Sequence, residues 1–143
     1  MDLDTLLNKN QKEAATYLDS HLRIIAGAGS GKTRVVTYRI AHLIQDVGID
    51  PRSILAITFT NKAANEMKER VNEVVGIHGS GTLICTIHSL CVRFLRQHIN
   101  VLNYPSNFTI MDEEDQKALI KKLYTQLEID AKVISIKSMI NTI

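Results

Sequence analysis

The stretch Ala26-Gly27-Ala28-Gly29-Ser30-Gly31-Lys32-Thr33 decides the fold of this 143-residue chain. A short apolar run, Leu22-Arg23-Ile24-Ile25, precedes it and reads as a buried strand, and a helical pattern opens at Lys32. Glycines 27, 29 and 31 let the backbone take positive φ and let a ligand approach with no Cβ in the way. Inward N–H groups of such a loop, with the start of the following helix, make a concave anion site suited to a polyphosphate. Lys32 adds a point charge for the β- and γ-phosphates, and the Thr33 hydroxyl is placed to bind Mg²⁺. The strict phosphate-loop pattern has glycine where this chain has Ala26, so the match is to the relaxed form. A glycine-rich turn between unrelated elements would leave Gly-Lys-Thr at the helix start unexplained.

Downstream, Val36, Ile40, Leu43, Ile44 and Val47 recur at spacings of three and four, which predicts an amphipathic helix from Lys32 to Val47. Gly48 ends it and Pro51 forbids its resumption. The run Ile54 to Phe59 is apolar and β-branched, as in a parallel strand covered on both faces. Strand, helix, strand is the βαβ unit of α/β folds. A second helix follows, with Asn61 as cap and Ala64, Met67, Val71, Val74 and Val75 on its inner side. A third strand, Thr82 to Thr86, empties into the polar turn Thr86-Ile87-His88-Ser89 before a helix holding Leu90, Phe94, Leu95 and Ile99. Open α/β sheets take ligands at the carboxyl ends of their strands, so the turns at Thr60 and His88 share an edge with the phosphate loop. At that edge His88 suits either a structural hydrogen bond or ligand binding better than proton transfer.

Upstream, Asn8 with Gln11 three residues on forms a capping box before a short helix. Gln11 has a second possible role, because an amide carries both donor and acceptor and can read an adenine edge. From Val101 the character changes. Tyr104-Pro105-Ser106-Asn107 is turn chemistry, Phe108 to Met111 is a brief extended piece, and Asp112 caps a helix whose first turn is Glu113-Glu114-Asp115. Those acids suit the positive end of the helix dipole and need no metal. Val133 to Ile143 predicts a further helix.

The totals narrow the classes. At 143 residues, 45% hydrophobic and 22% charged, the chain is one globular domain, or one and the start of another. A net charge of +2 assigns any nucleic-acid role to local charge placement. There is no apolar run of about 18 residues for a membrane span and no secretory leader, so no membrane partner and a cytoplasmic location are expected. Cys85 and Cys91 lack metal-ligand spacing and read as reduced core thiols.

The motifs and their order resemble the UvrD/Rep/PcrA-type superfamily-one DNA helicases. LNKNQKEAA (7–15) resembles that family's Q motif, AGAGSGKTR (26–34) its motif I, and ILAITFTNKAANEMKERV (54–71) its motif Ia. TIHSLCVRFLR (86–96) resembles motif Ib, with Ile87 where phenylalanine is usual, and FTIMDEEDQ (108–116) the start of the inserted helical subdomain. The resemblance implies a partial RecA-like P-loop NTPase sheet over 1–108 (subdomain 1A) and the beginning of the helical inserted subdomain (1B) over 109–143. It implies ATP and Mg²⁺ as cofactors. Gln11 would read the adenine, Ala26, Gly27, Ala28, Gly29, Ser30, Gly31, Lys32 and Thr33 would wrap the phosphates with Arg34 beside them, and Lys32 and Thr33 would serve catalysis. Phe59, Thr60, Asn61 and Lys62, with Thr86 and His88, would line a single-stranded DNA track. Phe59 has an equal claim to be a core residue at a strand end. The whole enzyme would translocate along single-stranded DNA, 3′ to 5′, open duplex at single-strand/duplex junctions and act in DNA repair. The chain has no Walker B Asp-Glu pair and no arginine-finger motif, so this piece is expected to be inactive without the rest of the helicase chain. A missing neighbour strand should also leave an open sheet edge prone to association. The alternatives are the helicase subunit of a RecB- or AddA-like nuclease, or a nucleotide-binding module of another P-loop class.

Overall fold

The computed structural model describes residues 1–142. They form two compact units, Met1–Phe94 and the residues from Leu95 on. The elements run α1 (Leu3–Leu6), α2 (Lys9–Thr16), α3 (Lys32–Gln45), β1 (Leu55–Thr58), α4 (Asn61–Val75), β2 (Leu83–Thr86), α5 (Ile87–His98), α6 (Glu113–Gln126) and α7 (Ile136–Thr142). The chain is thus a helix-rich α/β protein with one small parallel sheet. The helix expected over 133–143 is shorter at its start, and Ile143 lies outside the described residues. Phe108 to Met111 forms no strand.

In the first unit β1 pairs with β2 in parallel, Leu55 opposite Leu83 through Thr58 opposite Thr86. The crossover between them is α4. Its inner stripe, Ala64, Met67, Val71 and Val75, packs with Ile40 and Ala41 of α3, Ile54 and Ala56 beside and within β1, and Ile84 of β2 to form the main core. A second cluster joins Leu3, Leu7, Ala15 and Val35 and seats α1 and α2 against α3. Arg39 locks that seat. Its guanidinium Nη1 donates to the carbonyls of Ala14 (3.1 Å), Ala15 (3.5 Å) and Tyr17 (2.6 Å), satisfying acceptors that the end of α2 leaves open.

Leu22-Arg23-Ile24-Ile25 is neither paired nor buried: it carries no strand, and Ile25 is 85% exposed. A strand needs a neighbour about 4.8 Å away to satisfy its backbone, and the two described strands pair only with each other. The sheet therefore has two strands where three were predicted. The run Ile54 to Phe59 is also covered on one face only. Ala56 is buried under α3 and α4, whereas Leu55 and Ile57 on the other face are 49% and 48% exposed. An apolar run shows that a strand can be covered twice, and the elements that would cover this second face are not among the described residues.

At the end of α3, His42 Nδ1 lies 2.8 Å from Asp46 Oδ2, and the Met1 ammonium donates to Asp46 Oδ1 at 3.1 Å. The His42 hydrogen bond, and after it the ammonium, hold the Asp46 carboxyl below its usual value. A depressed folded-state pKa makes the carboxylate stabilising above the ordinary carboxylate pKa of about 3.9, with that stabilisation lost as pH falls through the lower, folded value. His42→Ala is expected to move the Asp46 midpoint upward in a ¹³C NMR titration. An unmoved midpoint would refute the assigned cause.

In the second unit Ile120 and Tyr124 of α6 are buried, and the Tyr124 hydroxyl donates to the Ile134 carbonyl at 3.1 Å. Asp112 caps α6, accepting from the N–H groups of Glu114 and Asp115, each at 2.8 Å, so the acidic first turn is helix-start chemistry. Arg96 donates to the Ser106 and Phe108 carbonyls at 3.0 and 3.2 Å and stacks 4.8 Å from the Phe108 ring centre, which organises the turn between α5 and α6.

Candidate functional site

The helix α3 begins without a side-chain cap. Gly31 precedes it in the left-handed region at φ 81°, and Gly29 also has positive φ, 73°. The first N–H groups of the helix have no intrahelical partner. Lys32 folds back over this loop, donating from Nζ to the Ala26 carbonyl at 2.9 Å and the Gly27 carbonyl at 2.5 Å. Ser30 Oγ donates to Gly27 O at 2.8 Å. The Thr33 side chain is exposed at the helix start, as are Ala26, Gly27, Ala28, Gly29, Ser30 and Lys32. Arg34 turns away, its guanidinium 5.7 Å from the centre of the Tyr38 ring.

Gln11 reaches the same loop from α2. Its Oε1 accepts from Asn8 N at 3.1 Å while Asn8 Oδ1 accepts from Gln11 N at 2.9 Å, closing the capping box, and its Nε2 donates to Ser30 O at 3.1 Å. One amide thus ties the start of α2 to the glycine loop before α3. Beside it lies a cleft of about 260 Å³ lined by Asn8, Asn10, Gln11, Ile25, Ser30 and Lys32 among others. That volume lies just below the roughly 300–1,000 Å³ of small-ligand clefts.

The carboxyl ends of β1 and β2 bring the other predicted residues together. Thr60, not Asn61, caps α4, its hydroxyl accepting from Ala63 N at 3.1 Å, because Thr60 is the last residue with extended backbone. Thr86 Oγ1 reaches Asn61 Oδ1 at 3.5 Å and Ser89 Oγ at 2.9 Å, which joins the two turns. Thr86 is buried, so this threonine organises the edge from beneath. Lys62 and His88 are exposed, and Phe59 is 100% exposed among the described residues. Sequence reasoning missed Arg39 and Ser89. The only signal for either was position: an arginine on the α2-facing side of α3, and a serine three residues after a helix-capping threonine.

No group of three or more His, Cys, Asp or Glu side chains among the described residues is placed to hold a metal. Both cysteines are free, and Cys91 is exposed, so only Cys85 is partly buried as a core thiol would be. No helix among the described residues is long and apolar enough to cross a membrane.

Residues 7–143 match the family model described as UvrD/REP helicase N-terminal domain. The chain belongs to that family. It is 46% identical over 137 residues to the ATP-dependent DNA helicase PcrA of Staphylococcus aureus, covering 96% of this chain and 19% of that protein. Against PcrA of Bacillus subtilis the identity is 47% over 137 residues, 96% of this chain and 18% of the relative. The chain therefore spans about a fifth of the length of these curated relatives. Within this UvrD/REP domain the phosphate loop, Gln11 and the turn at Phe59 lie inside the matched residues.

Proposed function

We propose that the chain is the nucleotide-binding, DNA-contacting N-terminal part of an ATP-dependent DNA helicase. The observation that carries this reading is the uncapped start of α3, with Lys32 over a glycine loop that Gln11 holds at Ser30 O. The residues present fit a polyphosphate. With a nucleotide bound, the Lys32 ammonium would exchange the Ala26 and Gly27 carbonyls for phosphate oxygens, the first N–H groups of α3 would bind further oxygens, and the cleft beside Gln11 would take the adenine. The Thr33 hydroxyl would be the chain's own ligand for Mg²⁺, which would supply charge neutralisation at the phosphates. The other metal-holding groups, the water-positioning residue and the arginine that phosphoryl transfer requires have no candidates here, so turnover by this chain alone is expected to be negligible.

Single-stranded DNA runs over the edge formed by Phe59 to Lys62 and the turn at His88. Phe59 offers a fully exposed ring for base stacking and Lys62 a charge for phosphate. This reading gives residues 1–108 to the ATPase subdomain and 109–143 to an inserted helical subdomain of a cytoplasmic enzyme that translocates 3′ to 5′, acts at single-strand/duplex junctions and serves DNA repair. No observation favours the nuclease-subunit alternative. Base stacking is worth about 1–3 kcal/mol, so Phe59→Ala should weaken binding of a labelled oligothymidylate about 5- to 150-fold in fluorescence anisotropy. Equal affinity of the two proteins would remove Phe59 from the track.

A further inference from the structure

We propose that the open edge of β2 receives an extended, acidic peptide segment by strand addition. β2 pairs on one side with β1, and Leu83 N donates to Ile54 O at 3.0 Å. Backbone groups alternate sides along a strand, so the N–H and C=O of Ile84 and the C=O of Thr82 point away from β1. No strand among the described residues pairs with them. Along this edge runs a groove of about 620 Å³, walled by Asn61, Asn65 and Lys68 of α4 and by Ser89 and Arg93 of α5.

The chemistry of the walls selects the occupant. Lys68 and Arg93 are exposed and neither is in an ion pair among the described residues, while no Asp or Glu lines the groove. Thr82 Oγ1, in the same wall, is buried without a hydrogen-bond partner among the described residues. A row of open backbone groups between two unneutralised cations suits a strand that supplies its own N–H and C=O groups together with carboxylates. The groove shares Asn61 with the edge proposed for single-stranded DNA, but no aromatic side chain lines it to stack a base, so oligothymidylate is the competitor that separates the two occupants.

The probe is a fluorescein-labelled decapeptide alternating glutamate with threonine, titrated by anisotropy into the 143-residue chain. Saturable binding is expected, weakened at least tenfold by Lys68→Glu with Arg93→Glu and by N-methylation of alternate peptide amides. Both substituted side chains are exposed, so circular dichroism should show an unchanged fold. Amide exchange at Ile84, followed by NMR, should slow on peptide addition. Affinity indifferent to the charge reversals or to N-methylation would overturn the proposal. It would also be overturned by oligothymidylate displacing the peptide with the same dependence on Lys68 and Arg93, or by a dimer whose formation alone protects Ile84.

Discussion

Ile40→Ala is expected to lower the thermal midpoint of the chain by roughly 8–20 °C. Ile40 is 4% exposed and stands where α3 meets α4 and the sheet, in the main core with Ala41, Met67, Val71 and Ile84. Truncating a buried isoleucine to alanine costs about 2–5 kcal/mol, from lost transfer energy and from the cavity left behind. For domains of this size each kcal/mol corresponds to about 4 °C. Exposed positions on the same helix, such as Arg34, should move the midpoint far less. The substitution also tests how the site is held. Because α3 carries Lys32 and Thr33 at its start, loosening its seat should reduce nucleotide affinity even though Ile40 touches no ligand. A scanning-calorimetry midpoint within 2–3 °C of the parent would mean that α3 is not anchored through this core.

Gly31→Ala is expected to reduce nucleotide binding by at least tenfold while leaving most of the helical signal intact. Gly31 has φ 81°, a conformation that costs a residue with a Cβ about 1–2 kcal/mol. An added Cβ would also meet Gln11 Nε2 at 2.8 Å. A free glutamine tip would swing aside, but this one is held at both amide atoms, by Asn8 N and by Ser30 O. Relief of the clash therefore breaks either the capping box or the tie to the loop. Gln11→Ala removes the clash and keeps the φ penalty, and because Gln11 lines the proposed adenine cleft the double variant is compared with Gln11→Ala alone. A smaller loss from Gly31→Ala in that background assigns the difference to the clash, and an equal loss assigns the whole effect to the backbone.

The glycine loop before α3 was legible from sequence because positive φ and a helix start are local requirements, and Gly29 and Gly31 meet them directly ahead of Lys32; its binding of phosphate is the proposal. The capping box at Asn8 and Gln11 was legible for the same reason. The tie from Gln11 to Ser30 was not, since it joins positions 19 residues apart and depends on α2 docking against α3. Strand formation at Leu22 to Ile25 was misread because apolar periodicity reports a preference for burial and says nothing of which strand supplies the partner hydrogen bonds. Phe59 is ambiguous in sequence because the two readings demand the same residue, and its full exposure past the end of β1 leaves its ring available for either.

The proposed function requires a phosphate loop formed within these residues and governed by Lys32. Its most direct test is titration of the chain with a fluorescent ATP analogue in the presence of Mg²⁺, alongside Lys32→Ala. Lys32 is exposed at the start of α3, so the variant should retain its fold, to be checked by circular dichroism. Saturable binding to the parent, weakened at least tenfold in the variant, is the predicted result. Equal binding by both proteins, or no saturable binding by the parent, would contradict it.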